Sequence, residues 1–217
     1  SACKNWFTVG RWADVSNDEY GVTWITLDAP LVQVGGVTAT LLNSQTNPEV
    51  WRKEVGPTQR IYSWAMNNHW GTNYRAYQEG PVRFRYLLRP HRGLDPAEAS
   101  RLAIAQSQPL LPVRGRGPKP DERSRLRLSS KEVLVTGLKP SDDGMGLMVR
   151  LWGASGRDMI TRLDWSDPQP LGICKSDTSE LSGEEVTGEV AVPAWGVVTL
   201  RVELPTPATM ELYRNRY

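Results

Sequence analysis

The residues with the clearest potential for chemistry lie between positions 64 and 80, in the stretch WAMNNHWGTNYRAYQEG. It brings three asparagines, one of the chain's two histidines and four aromatic residues into 17 positions. Aromatic faces pack on the apolar side of a pyranose and amides hydrogen-bond its hydroxyls, so the mixture suits a carbohydrate site. It also suits a buried polar corner whose amides pair with backbone groups. The candidate contacts are Asn67, Asn68, His69, Trp70, Asn73 and Tyr74.

Other routes to catalysis find little support in the sequence. Neither His69 nor His91 belongs to a metal-binding spacing. Cys3 and Cys174 predict free thiols, with a single bridge between them left open. No nucleophile elbow, phosphate-binding loop or dinucleotide fingerprint occurs, and the acidic pairs sit in or beside turns. We therefore expect no catalytic residue, no metal ligand and no cofactor in this chain.

Bulk composition bounds the class of protein. The 217 residues are 39% hydrophobic and 23% charged, which suits a globular chain of one large or two small domains. The net charge of +2 is too small to indicate a nucleic-acid partner, and no aromatics interleave the basic residues between 114 and 131. No apolar run reaches the roughly 18 residues of a membrane span. We expect neither partner, and the lack of a secretory signal favours a cytoplasmic location.

Short runs with period-two alternation predict β-strands throughout the chain. Val82, Phe84, Tyr86 and Leu88 alternate with three arginines, with Leu87 as the exception on the arginine face, which predicts a half-buried strand with a cationic outer face. The same alternation and shorter runs predict strands at residues 22–27, 37–42, 131–136, 147–152, 159–165, 189–192 and 198–204. Turn clusters at 140–144 and 155–157 separate some of them. Residues 14–21 resemble a calcium loop only loosely and predict a turn between strands.

One segment departs from the β pattern. Asp95 is a capping residue and Pro96 takes the first helical position, so residues 95–106 predict a helix of about three turns. The predicted fold class is an all-β, antiparallel β-sandwich with one short helix. Residues 1–106 form its first part, 107–120 a Pro/Gly/Arg-rich loop, 121–204 its second part and 205–217 a C-terminal tail.

Several blocks of the sequence resemble the C-terminal region of glycoside hydrolase family 38 α-mannosidases. The blocks are residues 12–17 with 20–23, 27–32, 64–74 with 78–81 and 84–86, 139–144 with 148–151, and 192–200. They stand in the family's order and together reach from Trp12 to Leu200. Gly153 departs from the family pattern, which commonly has asparagine there.

The resemblance implies a sandwich of the galactose-mutarotase-like, super-sandwich type. In that family the zinc site, the aspartate nucleophile and the general acid lie in the N-terminal part, and no block of this sequence matches them. The resemblance thus implies a non-catalytic domain that buttresses a missing N-terminal catalytic domain of a retaining α-mannosidase. Zinc would belong to that missing part, and the chain would border the cleft for a mannose-containing glycan.

Two alternatives stay open: a free-standing carbohydrate-binding module, and a structural scaffold without a ligand. The buttressing domain predicts an exposed apolar patch at which the catalytic part docks. The binding module predicts a concave aromatic site that is complete within this chain. The scaffold predicts neither feature.

Overall fold

A computed structural model of the chain describes residues 2–37, 48–66, 75, 77–112, 114–115, 124–166 and 168–205. The chain divides into two compact units. Unit 1 comprises Ser1–Leu94 and Leu102–Leu110, and unit 2 comprises Asp95–Arg101 and Leu111–Tyr217. The division into four segments made from the sequence stays a prediction.

Unit 1 places its strands in two antiparallel sheets of three strands each, within its described residues. The strands are β1 (Phe7–Thr8), β2 (Trp12–Ser16), β3 (Gly21–Thr26), β4 (Leu31–Val34), β5 (Ile61–Ser63) and β6 (Tyr86–His91). The strand orders are β1-β4-β5 and β2-β3-β6. A short 3₁₀ helix spans Pro48–Val50. The turn between β2 and β3 lies within the predicted turn at residues 14–21 and is shorter, because residues 14–16 belong to β2 and Gly21 to β3. In this turn Asn17 accepts the backbone N–H groups of Glu19 and Tyr20, both at 2.9 Å.

Unit 2 holds the remaining described strands, again in two antiparallel sheets. They are β7 (Leu126–Leu128), β8 (Val133–Pro140), β9 (Gly146–Gly153), β10 (Met159–Trp165), β11 (Gly172–Ser176), β12 (Glu189–Val192) and β13 (Val197–Glu203). One sheet has the order β11-β13-β9-β8 and the other β12-β10-β7.

The two sheets of unit 2 share one hydrophobic core. Val149 and Leu151 of β9 and Leu200 of β13 have no exposed surface, and Val192 of β12 joins them from the other sheet. Side chains of the remaining strands of unit 2 pack around this cluster. The alternating residues of each strand therefore form the inner layer of a β-sandwich, as the period-two pattern predicts. The all-β, antiparallel sandwich expected from the sequence is confirmed.

The helix α1 (Pro96–Ser107) confirms the helix predicted at residues 95–106. The carboxylate of Asp95 accepts the backbone N–H of Glu98 at 2.9 Å, so Asp95 is the N-cap that its sequence position indicates. At the other end, the Ser107 hydroxyl accepts the Arg11 Nε–H at 2.9 Å. In the part of the chain that the structure describes, no helix has both the length and the apolar character of a bilayer span.

The prediction of a strand at 82–89 is wrong in its bounds and in which alternating residues are buried. β6 begins only at Tyr86, and its side chains at Tyr86 and Leu88 are 40% and 67% exposed. The register explains this phase, because Leu87 pairs with the buried Ile25 and therefore shares its face. The predicted strands at 22–27, 131–136, 147–152, 159–165, 189–192 and 198–204 all correspond to observed strands. Most of the predicted strand 37–42 lies outside the described residues.

Candidate functional site

The six residues proposed from the sequence as carbohydrate contacts lie outside the described residues. They are Asn67, Asn68, His69, Trp70, Asn73 and Tyr74. Their role in a glycan cleft therefore stays a prediction. The chemistry that the structure does place is found on the two faces of the sheet β2-β3-β6 in unit 1.

The buried face of this sheet carries a polar cluster with one side chain from each strand. Asp14 of β2 accepts the Thr23 hydroxyl of β3 at 2.8 Å, and the same Oδ2 atom accepts Nε2–H of His91 of β6 at 2.8 Å. Register brings them together, since Asp14 pairs with Thr23 and Gly21 pairs with His91. The side chains of His91 and Asp14 are only 11% and 5% exposed. The cluster ties the three strands together on a face that water hardly reaches.

The charge of Asp14 is stabilised by this cluster. Burial alone raises the pKa of the Asp14 carboxyl, because a low-dielectric environment disfavours the carboxylate. Hydrogen bonds from His91, Ser16 and Thr23, together with the charge of His91, outweigh burial and leave the pKa below its ordinary value. Asp14 is therefore an anion in the folded chain at neutral pH.

Two polar atoms of the cluster, Oδ1 of Asp14 and Nδ1 of His91, are buried without a hydrogen-bond partner in the described chain. The His91 ring is also confined by the backbone, because a Cβ at Gly21 would lie 2.6 Å from Cε1 of His91. In enzymes that use histidine as a general base, a carboxylate often fixes the tautomer of the imidazole ring. The His91 ring is enclosed, so a substrate could not reach it. The arrangement serves to join strands, and Gly21 is the residue type that leaves room for it.

The opposite face of the same sheet is largely apolar and partly exposed, with Trp24 half-buried. It carries Val22 and Trp24 from β3 and Tyr86, Leu88 and Pro90 from β6, and we call these five residues the apolar face. Trp24 pairs with Leu88 in register, and the rings of Trp24 and Tyr86 lie 5.5 Å apart. The Tyr86 hydroxyl lies 2.7 Å from the Ser63 hydroxyl of β5. The buttressing domain expected from the sequence would present exposed apolar groups of this kind.

A concave pocket of about 430 Å³ opens on the apolar face, since Val22 and Trp24 are among its lining residues. Tyr20, Trp24, Asn17 and Gln59 are among its lining residues, and Tyr20 is 64% exposed. The hydrogen bonds to Asn17 fix the turn that presents Tyr20. Two aromatic rings with amides nearby are a combination that binds sugars. Sequence reasoning did not combine these residues, because Gln59 is distant in sequence from Tyr20.

The remaining candidates for chemistry are the cysteines and the side chains of the metal-ligating types. Cys3 and Cys174 are free thiols. Across the residues that the structure describes, no group of three or more His, Cys, Asp or Glu side chains is arranged to hold a metal ion.

Comparison with known proteins shows which solved structures share the fold of this chain. No protein-family model matches the chain, and no curated protein matches its sequence. The structure matches an α-mannosidase from Enterococcus faecalis V583 with a TM-score of 0.64 and 14% identity, over 92% of this chain. The chain has the fold of part of an α-mannosidase. It matches a protein in glycosyl hydrolase family 38 from Enterococcus faecalis with a TM-score of 0.62 and 14% identity, also over 92% of this chain.

The chain spans only about a fifth of these solved hydrolases: 21% of the α-mannosidase and 23% of the family 38 protein. The resemblance that the sequence blocks show to family 38 α-mannosidases is thereby confirmed in the fold. The β-sandwich that this resemblance implies is the observed architecture.

Proposed function

We propose that this chain is the non-catalytic β-sandwich domain of an α-mannosidase-like glycoside hydrolase, in which it buttresses the catalytic part and borders the glycan cleft. The observation that carries the proposal is the asymmetry of the structural match, which covers 92% of this chain but 21% of the α-mannosidase. Most of such an enzyme lies outside the matched segment. A domain of this kind contributes surface and support to a larger protein, which we call the full-length protein.

The apolar face is the surface at which we propose that the catalytic part docks. The sequence alternation places Tyr86 and Leu88 on an apolar strand face, and apolar strand faces are normally covered. In the chain they are exposed, with Leu88 at 67%. Covering apolar surface stabilises a complex by about 25 cal/mol per Å², before the cost of association. The catalytic part of the full-length protein is the occupant that we propose.

Catalysis would belong to the docked part and not to this chain. Family 38 resemblance suggests a retaining hydrolysis through a covalent glycosyl-enzyme, with zinc bound by the catalytic part. Mannose-containing glycans are the proposed substrate class. The six residues between Asn67 and Tyr74 are proposed to face the cleft, where their amides would bond sugar hydroxyls.

A carbohydrate-binding module is the second candidate function, and the pocket of unit 1 favours it. Tyr20 and Trp24 would stack on a sugar ring, and Gln59 would bond its hydroxyls. The two functions differ in what covers the sheet. In the module the sugar contacts Trp24 and the rest of the apolar face stays exposed to solvent, whereas the buttressing domain buries the face.

Docking in trans tests the proposal. The chain and the remaining part of the full-length protein would be produced separately, mixed, and followed by size-exclusion chromatography and by hydrolysis of an aryl α-mannoside. We expect a complex from the wild-type chain and none from Leu88→Glu. Leu181→Glu is the matched control, because Leu181 is 73% exposed and belongs to unit 2, whereas the apolar face belongs to unit 1. A Leu88→Glu chain that associates as well as wild type would reject docking at this face.

A further inference from the structure

The turn between β12 and β13 in unit 2 holds a tryptophan in an unusual backbone conformation. Trp195 has a φ of +57°, in the left-handed region that bulky residues rarely adopt. Glycine would take this conformation without strain, yet the sequence places its largest side chain there. Strained residues of this kind cluster where a side chain must be presented to a ligand.

The Trp195 ring is seated on its neighbours and still open to solvent. A Cβ at Gly156 would lie 2.8 Å from Cζ2 of Trp195, so glycine at 156 makes the seat for the ring. The Trp152 ring lies 6.0 Å from that of Trp195 at a tilt of 39°, and Trp152 Nε1 donates to the Trp195 carbonyl oxygen at 3.3 Å. Trp195 nevertheless remains 52% exposed. The arrangement holds the Trp195 indole in place and leaves about half of the residue exposed to solvent.

Polar side chains border the ring pair. Asp158 accepts the backbone N–H of Ala194 at 2.8 Å through one carboxylate oxygen, and it is an exposed residue. Arg157 precedes it and pairs with Glu132 at 2.7 Å while its side chain stays 72% exposed. Arg157 and Asp158 directly follow Gly156 in the chain. A hydrogen-bond donor and a hydrogen-bond acceptor for sugar hydroxyls therefore lie beside the Trp195 indole.

We propose that Trp152 and Trp195 form a stacking site for a pyranose ring of a polysaccharide. The C–H face of the sugar would lie on the Trp195 indole, and Asp158 and Arg157 would bond the equatorial hydroxyls. A sugar fits better than a protein segment, because a single exposed ring with charged neighbours offers little contiguous apolar area. The site lies wholly in unit 2, is distinct from the pocket of unit 1, and does not depend on the proposed function.

Affinity electrophoresis of the whole chain tests the site without any activity measurement. The wild-type chain would be run through native gels containing yeast mannan, xylan, soluble starch or barley β-glucan. We expect at least one polysaccharide to retard the chain and Trp195→Ala to weaken that retardation by about tenfold. Tyr20→Ala, which alters the pocket of unit 1, should be retarded like wild type.

A second variant separates binding from folding. Trp195→Gly removes the ring and also relieves the positive φ, so its melting temperature should stay close to that of wild type while retardation is weakened as in Trp195→Ala. Three results would overturn the proposal: no retardation of the wild-type chain in any of the four gels, equal retardation of Trp195→Ala, or retardation that depends on Tyr20 and not on Trp195.

Discussion

His91 Nε2 lies 2.8 Å from Asp14 Oδ2, and this contact joins the first and last strands of the sheet β2-β3-β6 across the central one. Thr23 of the central strand donates to the same oxygen. The pair is buried, so its hydrogen bonds are made in a medium where an unpaired charge is costly. The cluster fixes the sheet whose opposite side is the apolar face.

Removing the Asp14 charge should destabilise the chain. Asp14→Asn keeps the size of the side chain but replaces the charge-assisted hydrogen bonds from His91 and Thr23 by weaker ones, which we expect to cost about 1.5–3 kcal/mol of unfolding free energy. Urea unfolding followed by tryptophan fluorescence measures this cost. Asp18→Asn is the control, because Asp18 is exposed in the turn after β2. Equal stability of the two variants would show that the cluster contributes nothing.

The same carboxyl should contribute to acid sensitivity. Its pKa is lower in the folded chain than its ordinary value of 3.8, so folding is favoured by the charged form. The stabilisation is complete above 3.8 and is lost as the pH falls through that value towards the lower pKa of the folded chain. The unfolding free energies of wild type and Asp14→Asn should therefore converge as the pH is lowered. A difference that stays constant down to the acid transition would contradict the shift.

Truncation of a buried side chain in the core of unit 2 should lower the unfolding free energy strongly. Leu151 of β9 is fully buried in the cluster shared by the two sheets. Leu151→Ala should cost about 2–5 kcal/mol, because it removes buried apolar surface and leaves a cavity. Ile160→Ala in β10 should cost much less, since Ile160 is 59% exposed. Differential scanning calorimetry of both variants checks the contrast, and similar losses would place the core elsewhere.

The segment around Asn68 and Trp70 should matter to the full-length protein more than to the chain alone. If it borders the glycan cleft, Asn68→Ala or Trp70→Ala lowers kcat/KM for an aryl α-mannoside and leaves the melting temperature of the isolated chain nearly unchanged. The structural-corner interpretation makes the opposite prediction. Under it the isolated chain melts at a lower temperature and the kinetics per folded molecule do not change.

The sequence predicted best the long strands in which apolar residues recur at every second position. β9 and β13 were found because Val149, Leu151 and Leu200 belong to such runs and are buried in one core, although Met148 on the other face of β9 is buried as well. Short strands such as β1 and β5 were missed, since two or three residues cannot display a period.

The error at β6 has a different physical origin. Alternation identifies which residues share a face of a strand. The rule that the apolar face is the buried one assumes that another part of the same chain packs against that face. Tyr86 and Leu88 break that assumption, and the buried face of β6 instead carries His91. Pairing of His91 with Asp14 depends on strand register, which sequence spacing alone did not supply.

The hydrolysis of an aryl α-mannoside tests the central claim most directly. The chain alone and the full-length protein would be assayed side by side, each with and without added zinc. The account predicts turnover by the full-length protein and none by the chain. It would be contradicted by turnover of the repurified chain that is lost on mutating one of the chain's own acidic residues, or by a folded full-length protein that does not hydrolyse α-mannosides.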